Sequence, residues 1–462
     1  MSDEQGEARG SFATTTGFIL AVAASAVGLG NLWRFPYLTS HYGGGIFVLV
    51  YIIFAATFGF SLMITELAIG RKTGKSCIEA FGALSEKHRW IGIVTTIIPI
   101  FLLTNYCVIG GWVIKWFATT ATGNLSTLAE DGGGYWWSYI TGDAAGMGDP
   151  TLWFLIFIAL CIICIHAGLN KGIEKISKIT MPLLLLMIVG IIIYEFTLPG
   201  MWDGLVFYLN PDVSKLSTGT LLGAISQVFF SMSLAAGVMI TYGSYLKKEV
   251  NIEKSVRWIG LIDTGVAILA GMMIVPPAYI FGFDDSNGMG LMFVALPQVF
   301  EQMTGGEFIA PIFYLLVLFA ALTSAVSMFE TIVSVFVDRV KLKRKASILA
   351  STVLIMISGT IVVMGFGPLM IHLSPLDQGM GLLGLIDTLD NSFLMPIIAI
   401  LTCIFVGYVV KTKLITDELE SEGNTFTFKK TYNYMIRYVC PICLAAILVF
   451  GTLDILGILS IY

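Results

Sequence analysis

The run SAVGLGNLWRFPY at residues 25–37 lies inside an apolar segment, residues 17–38, that is long enough to cross a bilayer. Gly28, Gly30 and Pro36 undermine a continuous helix there, and Asn31 and Arg34 are polar. A helix broken at membrane depth exposes carbonyls and amides that hydrocarbon cannot satisfy. They must be buried in protein or line a cavity where ions or solutes satisfy them. One glycine would read as a kinked structural helix; this cluster with Asn and Arg reads as a ligand-facing break. Residues 227–237, QVFFSMSLAAG, repeat the pattern: Ser231 and Ser233, then Ala235, Ala236 and Gly237, interrupt an apolar segment that resumes at Val238. Thr323 and Ser324 sit side by side in a third apolar stretch, where they either back-bond to the preceding turn or face the carbonyls of the first break. Asp263, within a further apolar segment, is costly at that depth and expects a cation or proton as partner. Glu66 and Glu330 are less diagnostic, since either could reach the interface or bond a neighbouring backbone.

The elements that must position these residues are membrane helices. Hydrophobic residues make up 56% of the 462 and charged residues 12%, and the mean hydropathy is +0.86, far from a soluble domain. Eleven spans are expected, at about 15–38, 46–70, 91–117, 152–167, 179–198, 219–246, 258–283, 308–337, 346–369, 381–410 and 433–458. Basic residues crowd alternate loops, among them Arg71, Lys72, Lys171, Lys175, Lys247, Lys248, Arg339 and Arg344. That asymmetry predicts a cytoplasmic N-terminus and, with an odd count, an extracellular C-terminus. Residues 1–10 are polar and read as a retained leader, since the apolar segment after them is too long for a signal peptide. The loop of about 119–150, rich in Gly, Asp, Trp and Tyr, is expected outside, packed over a vestibule. Seven cysteines, mostly in apolar segments, read as small core residues without disulfides. Interrupted segments at corresponding positions of two five-span halves point to an all-α polytopic membrane protein with a 5+5 inverted repeat and broken helices 1 and 6. The expected divisions are a cytoplasmic segment 1–14, a first repeat 15–200, a second 218–411, and a cytoplasmic loop with the eleventh helix at 412–462.

The motifs GFILAVAASAVGLGNLWRFPY with HYGGGIF after it, ITELAIGR, QVFFSMSLAAGVMITYGSY and FAALTSAVSMFE, in this order, resemble the neurotransmitter:sodium symporter family. The resemblance covers the first ten spans and implies sodium-coupled symport of an amino acid into the cell by alternating access, across the plasma membrane, with no nucleic-acid partner. It implies two sodium sites: one from the Ala26 carbonyl with Asn31, Ser231 and Asp263, the other from the carbonyls of Ala24, Val27 and Ala320 with the hydroxyls of Thr323 and Ser324. Oxygen-only, mostly neutral ligation suits a hard monovalent cation. A substrate carboxylate would meet the amides of Gly28, Leu29 and Gly30 at a positive helix end, beside Ala26 and the Tyr106 hydroxyl. The subsite would be lined by Leu102, Phe230, Ser231, Ser233, Ala235, Ala236, Ala325 and Met328. Amine-carrying members have Asp where this chain has Gly28, so the substrate should bring its own carboxylate. A leucine-carrying bacterial member has Phe where this chain has Ala236, which leaves room for a larger, even aromatic, side chain. Ala235 stands where Gly is common and leaves the backbone shape there open.

The same resemblance implies an outer gate of Arg34 with Asp387 under a lid of Tyr106 and Phe230. An inner gate would be Arg9 with Asp338 near Tyr245 and Glu330, with Phe12 where the family usually has Trp. Chloride-dependent members carry neutral residues where this chain has Asp263, which predicts chloride independence. Two other classes fit less well. An intramembrane enzyme needs a converging nucleophile, base or metal cluster, and the spans offer one Asp without His or Cys beside it. A channel conducts rapidly, whereas a site enclosed between two broken helices under aromatic gates favours occlusion.

Overall fold

The computed structural model describes residues 10–130, 133–143, 145–283, 288–371, 374, 376–377, 379–456 and 458. Among these, nine helices are long and apolar enough to cross a membrane, and a bent pair makes up to ten. The bent pair is span one: Thr15–Ala26 and Gly30–His41, turned by 54°. Spans two to five are Gly45–Thr73, Glu86–Ala121, Gly148–His166 and Leu169–Glu195; spans seven to eleven are Ile252–Ile280, Gly306–Arg339, Arg344–Met364, Gly381–Val409 and Lys429–Ile455. Between five and seven lies a sixth segment in two pieces, Thr218–Ser231 and Val238–Gly243. Span three starts several residues earlier than its hydropathy predicts because the polar turn Glu86–His88 winds continuously into it.

Both breaks have local causes. Thr14 caps the first helix, its hydroxyl accepting from the Gly17 amide at 2.9 Å. The ladder stops at Val27, whose ψ of 97° is extended, and the Gly28 N–H turns to Asn31 Oδ1 at 3.2 Å. In the sixth segment Ser233, Ala235 and Gly237 all take positive φ, of 50°, 59° and 71°. For Ser and Ala that left-handed backbone costs roughly 1–2 kcal/mol each, and it persists only where the surroundings over-determine it. The fully buried Glu66 supplies part of that constraint, Oε1 accepting from the Ala235 amide at 2.7 Å. Glu66 therefore holds backbone and does not reach the interface, and Ala235 keeps a glycine-like shape.

The interior is close-packed by glycine contacts. A Cβ on Gly70 would lie 2.0 Å from the Ile240 carbonyl oxygen, and one on Gly243 2.3 Å from that of Leu67, so spans two and six touch backbone to backbone. The loop expected at 119–150 contains two short helices, Leu125–Ala129 and Gly134–Thr141. Trp136 packs against Trp112 of span three at 6.0 Å and against Phe293 at 6.1 Å, as a cover over that end of the bundle should. The seven cysteines are unpaired, and six are buried.

Candidate substrate and cation sites at two broken helices

Around Asp263 the three side chains expected for one cation, Asn31, Ser231 and Asp263 itself, converge. Asp263 is fully buried. Its Oδ1 accepts from Asn31 Nδ2 at 2.9 Å, and its two oxygens accept from Ser231 Oγ at 3.0 and 2.9 Å. The Tyr51 hydroxyl, which the sequence did not single out, bonds Asp263 and lies 3.4 Å from Ser231 Oγ. Its only signal was a tyrosine within the apolar first half of the second span. Asp263 thus meets hydrogen-bonding neighbours from three other spans, all of them neutral, and a monovalent cation is the charge this donor set fits.

The second cluster joins span eight to the first break. Ser324 Oγ donates to the Ser25 carbonyl at 3.0 Å and to that of Val27 at 3.4 Å, while Thr323 Oγ1 donates within its own helix, to Phe319 and Ala320 carbonyls at 3.0 and 3.1 Å. So Ser324 faces the carbonyls of span one, and Thr323 back-bonds. The Thr323 hydroxyl thus sits beside the Ala320 carbonyl and that of Ser324 beside the Val27 carbonyl, and Ala24 is buried one turn before the break.

Between these clusters is a small cavity. Its walls include Leu102 and Tyr106 of span three, Phe230, Ser233 and Ala236 of the sixth segment, and Ser324 and Met328 of span eight. Val238 and Met395 complete it and were not anticipated. Ala235 and Ala325, expected in the lining, are absent from it: the Ala235 amide turns to Glu66, and Ala325 is rotated about 100° from Ser324 on the helix. Ser231 likewise faces Asp263. The Tyr106 hydroxyl accepts from the Leu29 amide, and a Cβ on Gly28 would stand 3.1 Å from that hydroxyl and 2.6 Å from Ser324 Oγ. Phe230 presents its ring edge to Gly30, where a Cβ would be 2.5 Å from Cδ1 and 2.6 Å from Cε1. Ala26 is buried at the end of the first helix, directly before the break.

Above the cavity, Arg34 stacks over Phe230 at 5.4 Å and donates to Gln227 Oε1 and Ser226 Oγ, each at 2.9 Å. Gln227 also donates to the Gly30 carbonyl at 3.0 Å, tying the two breaks together. Its buried amide in an apolar span was the missed signal. Asp387 lies within electrostatic reach of Arg34 and accepts from Asn391 Nδ2 at 2.8 Å.

At the other end Arg9 falls outside the described residues. Asp338 Oδ2 accepts the Ser76 amide at 2.6 Å, and Phe12 packs edge-on against Tyr242 at 5.7 Å and Tyr245 at 6.4 Å. Glu330 does not reach the interface. It is fully buried, accepts Tyr245 Oη at 2.7 Å and pairs in bidentate fashion with Arg344 at 2.9 and 2.8 Å. Arg344 had read only as a cytoplasmic loop charge. Glu330→Gln and Arg344→Gln are each expected to lower the apparent unfolding temperature. The cost should fall below the about 3–5 kcal/mol of a fully buried pair, because the Arg344 side chain is 36% exposed. Paired groups are non-additive, so the double variant should lose less than the sum; additive losses in a thermal melt would show that the pair does not act as a unit.

Two interrupted spans facing an enclosed cavity, in a bundle of apolar helices, define a multi-pass secondary transporter and not an enzyme. The profile of the sodium:neurotransmitter symporter family matches residues 9–132 and 133–457. A sodium-dependent transporter of Bacillus subtilis strain 168, YhdH, is 34% identical over 97% of this chain and 98% of its own length. A sodium-dependent transporter of Haemophilus influenzae is 30% identical over 94% and 96%. The crystal structure of MhsT in complex with L-phenylalanine superposes with a TM-score of 0.85 at 33% identity, over 96% of this chain and all of that one. The chain belongs to the sodium:neurotransmitter symporter family.

Proposed function

We propose that the protein carries a bulky hydrophobic amino acid into the cell together with two sodium ions, independently of chloride. The observation that supports this most is the meeting of the Gly28–Leu29 backbone with Tyr106 and Ser324, beside the buried Asn31–Ser231–Asp263 cluster. A zwitterion laid there puts its carboxylate at the positive end of a broken helix, where side chains of Asn31 and Tyr106 hold the Gly28 and Leu29 amides, and its side chain toward Leu102, Val238, Ala236, Met328 and Met395. The L-phenylalanine bound by MhsT agrees with a large apolar substrate.

The first sodium takes the Ala26 carbonyl, Asn31, Ser231 and Asp263; the second takes Ala24, Val27, Ala320, Thr323 and Ser324. Substrate and first sodium then bind as a charge pair, and their coupling is reciprocal. Arg34 and Asp387 with the lid of Tyr106 and Phe230 close the outside. Asp338 with Arg9, and Tyr245 with Glu330 and Arg344, close the inside, and one set of helices rocks against the other. Counting the sixth segment as one broken span gives eleven spans, with residues 15–200 and 218–411 as the inverted repeats, residues 412–462 as the cytoplasmic loop and last helix, and residues 1–14 cytoplasmic. An odd count then leaves the C-terminus outside the plasma membrane.

The test is uptake of each of the twenty amino acids into vesicles holding the purified protein, with and without a sodium gradient. Uptake that ignores sodium, or prefers charged amino acids, overturns the proposal. Ala236 supplies a sharper arm. Adding a ring to the cavity wall removes volume worth about 1–3 kcal/mol per methylene-scale change, so Ala236→Phe should shift preference from Trp and Phe toward smaller aliphatic substrates by about tenfold. Unchanged relative uptake of Trp and Leu would mean that Ala236 does not bound the side-chain subsite.

A further inference from the structure

A larger cavity lies outside the transport path, about 550 Å3, between spans two, seven and eleven. Its size is that of a ligand pocket. The wall from span two includes the π-turn Ala55–Gly59. That turn would offer loose carbonyls, but Thr57 Oγ1 donates to the Ile53 carbonyl at 2.7 Å and Ser61 Oγ to that of Thr57 at 2.8 Å. Tyr432 Oη is taken by Thr65 Oγ1 at 2.8 Å. The hydroxyls of these three lining residues are thus spent within the protein, and the remaining lining is mainly apolar: Ile52, Phe60, Met63, Val256 and Leu261. Ile52 is 38% and Leu261 62% exposed on helices that cross the membrane, so the cavity opens sideways onto lipid.

Its polar end is basic. Arg257, in the second turn of span seven, stacks on Phe428 at 4.8 Å and pairs with Glu253, and its side chain stays 49% exposed. Glu253 is also held by the Thr427 amide, at 2.7 Å. Lys254, one turn back, and Lys430, two residues after Phe428 in the chain, carry positive charge beyond that pair. Seven residues separate Arg257 from Thr264, so the cavity runs about 10 Å into the membrane. At its inner end are Thr264, next to Asp263, and Met232, the residue after Ser231 where the sixth segment breaks. Met232 is wedged there: a Cβ on Gly59 would lie 2.5 Å from its sulfur.

We propose that this cavity binds one anionic glycerophospholipid, its phosphate at Arg257, Lys254 and Lys430 and an acyl chain against Met232, and that occupancy stiffens the broken sixth segment and so strengthens cation binding at Asp263. An acyl chain suits a lining that is mainly apolar, and the basic rim selects a negative headgroup over a zwitterionic one. Binding that orders the break removes part of the ordering cost of the next ligand. The effect on sodium rests on the function proposed above; the lipid site itself does not.

Gly260 gives the decisive variant. It lines the cavity with only the Met232 methyl, at 3.9 Å, near its Cβ position, so Gly260→Leu fills the space without a clash. The full chain is extracted from vesicles of phosphatidylcholine and phosphatidylglycerol, and its retained lipids are read by native mass spectrometry. The native protein should keep one more phosphatidylglycerol than Gly260→Leu, and Arg257→Gln should lose the preference for that headgroup. Equal retention by native and Gly260→Leu overturns the site; equal retention of both headgroups by the native chain overturns the anionic selectivity. In a second arm, sodium dependence of substrate binding is titrated in vesicles with and without phosphatidylglycerol. The native half-saturating sodium should fall on the order of fivefold with the anionic lipid, the low end of site-to-site coupling, and Gly260→Leu should not respond. A native titration indifferent to lipid overturns the coupling while leaving retention to decide the site.

Discussion

Asp263→Ser is expected to abolish sodium-driven uptake in gluconate medium, by about 100-fold or more, and to recover part of it when chloride is supplied. Native uptake should be the same in both media. The carboxylate is fully buried and its partners Asn31, Ser231 and Tyr51 are all neutral. On the proposed function, removing it would leave two cations and a zwitterion in a low-dielectric site without compensating charge, and breaking a buried charge pair costs about 3–5 kcal/mol. Serine also leaves space and a hydroxyl donor where an anion can enter, which is why chloride and not gluconate should rescue. A native protein that needs chloride, or a Ser variant that is active and indifferent to it, would show that Asp263 is not the compensating charge. An unchanged apparent unfolding temperature for the variant separates lost function from lost fold.

The sequence made the framework legible because membrane helices announce themselves by length and hydropathy, and broken ones by glycines and polar residues where neither belongs. The break at Val27–Gly28 and the break after Ser231 follow from residue types at depth, whereas the meeting of Asn31, Ser231 and Asp263 was implied by the family resemblance. What stayed hidden has a common cause: rotation about a helix axis is invisible to composition. Ala235 and Ala325 were placed in the cavity lining by the family resemblance, yet Val238 and Met395 stand in the wall and they do not. Gln227 and Arg344 were readable as polar residues but not as partners of Arg34 and Glu330, since those contacts join elements 193 and 14 residues apart. Glu66 could have pointed either way, and only the left-handed backbone at Ala235 gives its carboxylate an amide to hold.

Gly28→Ala tests the cradle most directly, and it should reduce substrate binding by about 100-fold at saturating sodium. A methyl at that position would stand 2.6 Å from Ser324 Oγ and 3.1 Å from the Tyr106 hydroxyl. Ser324 cannot retreat freely, because its hydroxyl already bonds the carbonyls of Ser25 and Val27. On the proposed placement of the ligands, the methyl would both displace Ser324 from the second cation cluster and occupy the place of the substrate carboxylate. Each of the two disturbed charge-assisted contacts is worth about 1.5–3 kcal/mol, which sets the size of the expected loss. Tyr106→Phe is the graded control: it keeps the ring over the cavity, removes the hydroxyl beside Leu29, and should cost about one such contact, roughly tenfold. Because the clash reaches Ser324, Gly28→Ala should also raise the sodium needed for half-saturation, and Tyr106→Phe should change it much less. Equilibrium binding of labelled substrate across a sodium titration distinguishes the two. If Gly28→Ala binds substrate as tightly as the native chain, the carboxylate does not sit at this break.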